Sequence, residues 1–341
     1  MYIRVDGNSV IATGHVMRCL AIADAFKMRG EDVVFVTADR YPEKIINTRG
    51  YKIICLNSVW NDMDTEIEKL KRVIEQYDID KLLIDSYYVT ENYLSEIRKY
   101  TQTIYIDDMG KIQADTDILI NYANPDIVDY NSLYDGTDTR LLTGYEYTPL
   151  RKEFFNRKYL CRTDGKKVFL TTGGTDKYGI EYKIADYVIE NNLKMQLFVV
   201  VGRYNRDYAS LAEMQDKYPD KIKVFYNIDN MADVMSECDV AISAGGTTLF
   251  ELCACKIPTI CFAFADNQLG LTNTFGGKGV MINLGDIRDD VSGRINDMVH
   301  EAEDLLGDIS KRQRISDKMS GLIDGSGTMK IVDEILRRCK K

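Results

Sequence analysis

The chain has 341 residues, 53 acidic and 44 basic, for a formal charge of -9. With 45% hydrophobic residues and only 5 prolines, the composition excludes a disordered or collagen-like chain, and a chain this long does not need disulfides to fold. The acidic balance excludes a general nucleic-acid binder, which needs a broad basic surface, but it leaves room for a local phosphate site built from backbone amides.

Tyr2–Val5 reads as a first strand, followed by a polar loop from Asp6 to Gly14. A helical stripe comes next: Val16, Cys19, Leu20, Ala23 and Phe26, stopped by Gly30. Further apolar runs predict strands at Val33–Thr37, Lys52–Leu56, Lys81–Ile84, Thr103–Ile106 and Ile118–Asn121, with a second helical stripe at Met63, Ile67, Leu70, Ile74 and Tyr77. From Asn121 to Asp164 the pattern turns irregular and rich in Tyr, Asp and Asn. A polar turn, 162–167, then opens a fresh series of strands: Lys167–Thr171, Gln196–Val201, Ile222–Tyr226, Val240–Ser243, Pro258–Phe262 and Val280–Leu284. Ile180, Ile184 and Val188 mark a helix between the first two of these. The strands are continuous apolar runs, as parallel strands covered on both faces are. The alternation predicts an α/β protein of two doubly wound Rossmann-like domains, 1–155 and 156–341, facing an interdomain cleft, with ligands at the carboxyl ends of the strands.

Eight cysteines sit mostly in apolar runs, from Cys19 and Cys55 to Cys339, with no C-x-x-C pair. The sequence begins directly as a strand, shows no secretory h-region and has no apolar run near the ~20 residues of a membrane span. These features predict a reduced, cytoplasmic enzyme without stable membrane insertion. No convincing metal site is present. The Asp62/Asp64, Asp78/Asp80 and Asp115/Asp117 pairs are the chance pairs that an acidic chain contains. No cofactor is implied.

Only two histidines are available, His15 and His300. His15 falls in the first turn of the first helix, after a loop that carries Asp6 and Gly14 and before Arg18. This is where α/β enzymes place reactive groups, and an imidazole there suits a general base. A capping or packing role for His15 is the competing reading. The loop matches neither G-x-G-x-x-G nor the P-loop pattern. In the second half, two strands run into Gly-Gly: Thr172-Gly173-Gly174-Thr175-Asp176 and Ser243-Ala244-Gly245-Gly246-Thr247-Thr248. Paired glycine loops leading into helices suit a phosphate or diphosphate. Glu251 follows in the first turns of its helix, either to accept hydrogen bonds from ribose hydroxyls or simply as a favourable helix-start charge. Asn267 and Gln268 follow another strand end.

These segments resemble a known group. Ser243 to Leu252, then Ile257-Pro258 and Asn267-Gln268, look like the nucleotide site of GT-B glycosyltransferases, such as the peptidoglycan UDP-N-acetylglucosamine transferase. The whole chain, from about Arg4 to Gly279, resembles more specifically the UDP-2,4-diacetamido-2,4,6-trideoxy-β-L-altropyranose hydrolases of pseudaminic acid biosynthesis. The matching positions are Asp6, Ile11, Gly14, His15 and Arg18; Asp85 with Tyr87; Asp107-Asp108; Gly144, Tyr147, Leu150, Arg151, Glu153 and Phe154; and the Gly173, Glu251 and Gln268 segments. Ala12 departs from the glycine usual there.

The resemblance implies a GT-B-like fold and metal-independent, inverting hydrolysis of a UDP-sugar by water. His15 would be the base. Gly173, Gly174, Gly245 and Gly246 would hold UDP, with Ser243 and Thr247 in the same segment. Glu251 would hold ribose, and Gln268, beside Asn267, would approach the sugar or phosphate. Tyr87 and Asp108 would line the sugar side, or serve as loop hydrogen-bonding residues. Arg18 would be a sugar-side ligand or the partner of Asp6. A glycosyltransferase for surface or spore-coat polysaccharide is the alternative; the absence of an amphipathic basic stretch favours the hydrolase. The expected oligomeric state is open, with a monomer slightly preferred.

Overall fold

A computed structural model describes residues 1–337 except 9, 12, 111, 124, 203, 204, 227 and 229. Ala12 and Cys339, singled out above, therefore lie outside the described residues. The chain forms two compact units, Met1–Lys152 with Ser326–Lys341, and Glu153–Gly325.

The first unit holds seven parallel strands: β1 (Tyr2–Val5), β2 (Val34–Thr37), β3 (Lys52–Cys55), β4 (Lys81–Asp85), β5 (Gln102–Ile106), β6 (Ile118–Asn121) and β7 (Arg140–Thr143). Their order is β3-β2-β1-β4-β5-β6-β7. Its helices up to Lys152 are α1 (Gly14–Met28), α2 (Glu43–Thr48), α3 (Ile67–Gln76), α4 (Glu91–Arg98) and α5 (Tyr130–Leu133). The second unit has β8 (Lys167–Thr171), β9 (Gln196–Val201), β10 (Ile222–Tyr226), β11 (Val240–Ala244), β12 (Thr259–Ala263) and β13 (Ile282–Asp286), in the order β10-β9-β8-β11-β12-β13. Its helices are α6 (Ile180–Glu190), α7 (Tyr208–Lys217), α8 (Met231–Ser236), α9 (Thr248–Cys255), α10 (Asp266–Gly277), α11 (Val291–Gly307) and α12 (Ile309–Ser320). In both sheets the order reverses beside the unit's first strand. The loops at that reversal are where a doubly wound sheet opens for a ligand.

Apolar strands explain both sheets. Ile3, Val5, Leu82, Leu83 and Ile84 are fully buried in the first, and Val168, Phe169, Leu170, Val240 and Ile242 in the second. Continuous burial requires helices on both faces.

Two features depart from the sequence reading. The irregular stretch after Asn121 contains a seventh strand, β7, whose four residues pair with β6. The last helix, α13 (Gly327–Leu336), belongs to the first unit, where it packs against α1. Gly327 permits this: a Cβ there would meet the Thr148 backbone, 2.6 Å from its nitrogen. Arg29 adds a two-pronged ion pair to Asp333 at 2.7 and 2.8 Å. A single cut at 155/156 could not show this return of the chain. It also explains why α1 buries Ala21, Ile22 and Ala25 as well as its predicted stripe, since it is covered on more than one side.

Candidate functional site

In the first unit, β1 and β4 flank the reversal, and Val5 pairs in register with Asp85. Asp85 ends the apolar strand Lys81–Asp85 and is buried. Its Oδ1 lies 2.6 Å from His15 Nδ1, and its Oδ2 accepts from Arg18 Nε at 2.6 Å and from Cys19 Sγ at 3.3 Å. Arg18 Nη2 donates to Oδ1 as well. Helical spacing delivers these groups: His15, Arg18 and Cys19 lie three and four residues apart, on one face of α1. Burial alone would raise the Asp85 carboxyl. The Arg18 guanidinium and the His15 ring outweigh it and hold the group well below the usual carboxylate range.

Nδ1 also lies 2.8 Å from Arg18 Nη2. In the tautomer whose Nδ1 proton is accepted by the anionic Asp85, the lone pair of the neutral ring is on Nε2. Nε2 is buried and has no hydrogen-bond partner among the described residues. The ring packs against Tyr87, edge to face, with centroids 4.3 Å apart. Tyr87 itself is about half exposed, at 49%. A buried, oriented, unoccupied imidazole nitrogen can take a proton from a hydroxyl or a water.

Arg18 is committed elsewhere than expected. Besides Asp85, its Nη1 donates to Asp108 Oδ2 and to Tyr122 OH, at 2.5 and 2.6 Å. It therefore ties α1 to the end of β4 and to the loops after β5 and β6, and is not the partner of Asp6. Burial pushes the Asp108 carboxyl up; Arg18 opposes this and the Asp85 charge adds to it. The adjacent Asp107 shapes the turn, accepting the amides of Met109 and Gly110 and the Tyr130 hydroxyl.

Asp6 pairs with Arg4 at 2.6 Å, and its other oxygen accepts the Ala38 amide. Arg4 is fully buried and also forks onto Glu66 at 2.7 and 2.9 Å; Glu66 accepts Ser58 and Tyr93 hydroxyls too. With both oxygens engaged and 3% exposure, Asp6 anchors the loop instead of facing a ligand. Gly14 is exposed, with nothing within 4 Å of where its side chain would begin. His300 is exposed on α11, 3.7 Å from Glu303.

In the second unit, the two glycine loops follow β8 and β11, the strands that flank the reversal. Gly173 adopts φ +89°, which favours glycine. Its amide bonds Thr171 Oγ1 at 3.2 Å, and the Gly245 amide bonds the Phe262 carbonyl at 2.7 Å. Both amides are thus engaged within the protein, and the exposed loop positions are one or two residues further on, at Gly174 and Thr175 and at Thr247. Gly245 is required by packing: a Cβ would lie 2.8 Å from Gln268 Cβ and from Thr272 Cγ2. Beside Gly246 there is open space. Thr247 stands at the N-cap of α9 but makes no side-chain capping bond.

Ser243 is buried within β11 and its hydroxyl bonds the Ala244 carbonyl. Glu251 is half-buried in the first turn of α9. Asn267 is exposed at the start of α10, and Gln268 Oε1 accepts the Phe264 amide at 2.9 Å.

Sequence reasoning gives no role to three contributors, although Asp85 is among the positions that carry the resemblance. Asp85 carries a readable signal, an acid ending an apolar strand. Gly202, just after β9, lies so close to the first glycine loop that a Cβ would be 2.7 Å from the Gly174 carbonyl carbon. Glu181 is hidden in a helical stripe. Among the described residues no cluster of three or more metal-ligating side chains occurs, and no helix is long and apolar enough to cross a membrane.

The glycosyltransferase family 28 C-terminal domain matches residues 168–317. An uncharacterized protein of Methanocaldococcus jannaschii is 27% identical over 269 residues, 75% of this chain; the chain spans about half (54%) of that relative's length. The spore coat polysaccharide biosynthesis protein SpsG of Bacillus subtilis is 23% identical over 336 residues, 96% of this chain and 94% of that one. The UDP-2,4-diacetamido-2,4,6-trideoxy-beta-L-altropyranose hydrolase of Campylobacter jejuni is 23% identical over 279 residues, 81% of this chain and 96% of that one. Among solved structures, MurG of Acinetobacter baumannii has a TM-score of 0.69 at 13% identity, covering 99% of both chains. That likeness shows the fold: two Rossmann-like domains of GT-B type.

Proposed function

We propose that this protein is a nucleotide-sugar hydrolase that releases UDP from a UDP-linked diacetamido-trideoxy sugar by attack of water at the anomeric carbon. The observation that carries the reading is the Asp85-held His15, whose Nε2 is buried and without a partner among the described residues. In this reading Nε2 takes a proton from the attacking water as its oxygen bonds the anomeric carbon. The bond from that carbon to the diphosphate breaks with inversion, and UDP leaves with the electron pair. Asp85 stabilises the imidazolium that forms. The second unit would hold the nucleotide. Exposed amides after Gly173 and at the α9 N-terminus would carry the diphosphate charge, the kind of preorganised donor that often supplies the largest catalytic effect. Glu251 would accept hydrogen bonds from the ribose. Likeness to the Campylobacter jejuni hydrolase over most of both chains supports the substrate class.

The test is incubation of the purified protein with the UDP-sugar and no acceptor. Stoichiometric UDP and free sugar are expected. His15→Asn should lower turnover by about a thousandfold while UDP binding persists. Normal turnover in that variant would remove His15 from the mechanism.

A second reading, a UDP-sugar glycosyltransferase, has one structural observation in its favour. Val10, Tyr41, Val59, Tyr88, Met109 and Ile127 are exposed, and each follows the carboxyl end of a strand in the first unit. An acceptor with apolar surface would use such residues. The likeness to the spore-coat protein fits this reading equally. Turnover that begins only when an acceptor is added would decide for it.

A further inference from the structure

Behind the first glycine loop of the second unit lies a carboxylate that the proposed chemistry does not use. Glu181, in the first turn of α6, is fully buried. Its Oε1 accepts the Thr172 amide at 2.7 Å and the Thr172 hydroxyl at 2.8 Å, and its Oε2 accepts Asn205 Nδ2 at 2.6 Å. None of these partners is a cation. Among the described residues, the charged group that acts on it is Asp176, also buried, whose oxygens accept the amides of Ile180 and Glu181. Asp207, at the N-cap of α7, acts in turn on Asp176. Burial pushes the Glu181 carboxyl up to about 7; the Thr172 bonds oppose this and Asp176 adds to it.

We infer that Glu181 is a positioning residue that sets the Thr172–Thr175 turn for a nucleoside diphosphate and takes up a proton when that anion binds. The inference rests on the reading of this strand edge as the nucleotide site. The route of the proton follows from the hydrogen bonds. Asn205 Oδ1 accepts the Asp207 amide at 2.7 Å, so Nδ2 has to face Glu181 and Oε2 has to remain an acceptor. The proton, drawn from solvent, therefore goes to Oε1. The Thr172 hydroxyl lies between two acceptors, Glu181 Oε1 at 2.8 Å and the Thr175 carbonyl at 3.2 Å. While Glu181 is ionised, the hydroxyl donates to it. Once Glu181 is protonated, Oε1–H donates to the Thr172 oxygen, and the hydroxyl hydrogen turns to the Thr175 carbonyl, closing the turn. An anion on this turn repels the ionised form and favours the neutral one. Affinity then rises as pH falls through the Glu181 value.

The test is calorimetry of UDP binding to the full-length protein, in buffers of different ionisation enthalpy. The terminal phosphate of UDP titrates near pH 6 itself, so the readout is the difference between wild type and Glu181→Gln. We expect the wild type to take up a fraction of a proton that the variant does not, and to gain roughly tenfold more affinity between pH 8.5 and 6.5. An infrared difference spectrum of the wild type, on addition of UDP, should show a new protonated-carboxyl band whether or not the variant folds.

A third readout is stability. The folded value lies above that of an exposed glutamate, so the contribution of Glu181 is fullest below the exposed value. It is lost as pH rises through about 7. Thermal melts of Glu181→Gln should lack that decline. UDP binding with equal proton uptake in both proteins, or without the infrared band, overturns the inference alone. No UDP binding to the wild type at any pH overturns the nucleotide reading and the inference with it.

Discussion

At the carboxyl end of β1 the chain places Asp6, His15 and Arg18; at the carboxyl end of β8, the equivalent strand of the second sheet, it places Thr172, Gly173 and Gly174. The scaffold is the same on both sides: parallel strands in the same order, reversing beside the first strand, with a loop leading to a helix. The chemistry differs in kind. The first edge works through side chains that hold one another: Asp85 grips His15 and Arg18, Arg18 grips Asp108 and Tyr122, and Arg4 grips Asp6 and Glu66. The second edge is mostly backbone, set by glycines that no side chain could replace without collision at Gly245 or Gly202. A side-chain edge can move protons, because it owns groups that titrate. An amide edge can hold negative charge without lysine or arginine. This is how an acidic chain can keep a phosphate site.

The largest effect should come from breaking the first edge at its hub. Asp85→Asn keeps the shape but presents a neutral amide to His15 Nδ1, which no longer fixes the tautomer or stabilises an imidazolium. Turnover should fall by about ten-thousandfold, as in other carboxylate-held imidazoles. The same change removes one of the two carboxylates around the nearly buried Arg18, so stability should drop by about 3 kcal/mol. UDP affinity, measured by calorimetry, should be unchanged. A variant that loses UDP binding as well would show that the side-chain edge also serves the nucleotide.

The converse change is Gly202→Ala. Its Cβ would lie 2.7 Å from Gly174 atoms, so the first glycine loop has to move. UDP affinity should fall by roughly a hundredfold, close to 3 kcal/mol, with the His15–Asp85 pair undisturbed. Retained affinity would mean that the loop has room to shift, and that its present shape is not what binds the anion.

How far the comparison could be read from sequence follows from which interactions are local. The parallel strands were legible, because burial on both faces leaves continuous apolar runs such as Leu82-Leu83-Ile84. His15 and Arg18 stood out because polar groups at a strand end have few structural reasons to be there. The pairings among them and their partners are not legible, since Asp85 is 70 residues from His15 and Tyr122 is 104 from Arg18. Of the two roles the sequence allows Arg18, sugar-side ligand or partner of Asp6, the second fails because Asp6 belongs to Arg4. A hydroxyl near Gly-Gly suits a phosphate, but Ser243, the fourth residue of a five-residue strand, is buried with its hydroxyl on the Ala244 carbonyl. The glycines were visible as a motif, yet which amides remain open depends on cross-strand bonds such as Gly245 to Phe262. The return of α13 to the first unit rests on contacts between distant segments, Gly327 with Thr148 and Arg29 with Asp333, which no local pattern announces.

The smallest change tests the amide edge most finely. Thr247 occupies the N-cap of α9, where replacing threonine by alanine ordinarily costs about 1 kcal/mol through the lost capping bond. Here the hydroxyl makes no such bond, and the residue is exposed. Thr247→Ala should therefore change stability by less than about 0.5 kcal/mol, as a surface substitution does. If the helix start serves a diphosphate, the unused hydroxyl is available to donate to it. UDP affinity should then fall roughly fivefold, the worth of one hydrogen bond. Turnover at saturating substrate should be unaffected, because the bond is made before and during reaction alike. A loss of stability with no loss of affinity would reverse the assignment: the hydroxyl would be a helix cap, and the diphosphate would be held by the Gly174 side of the edge alone.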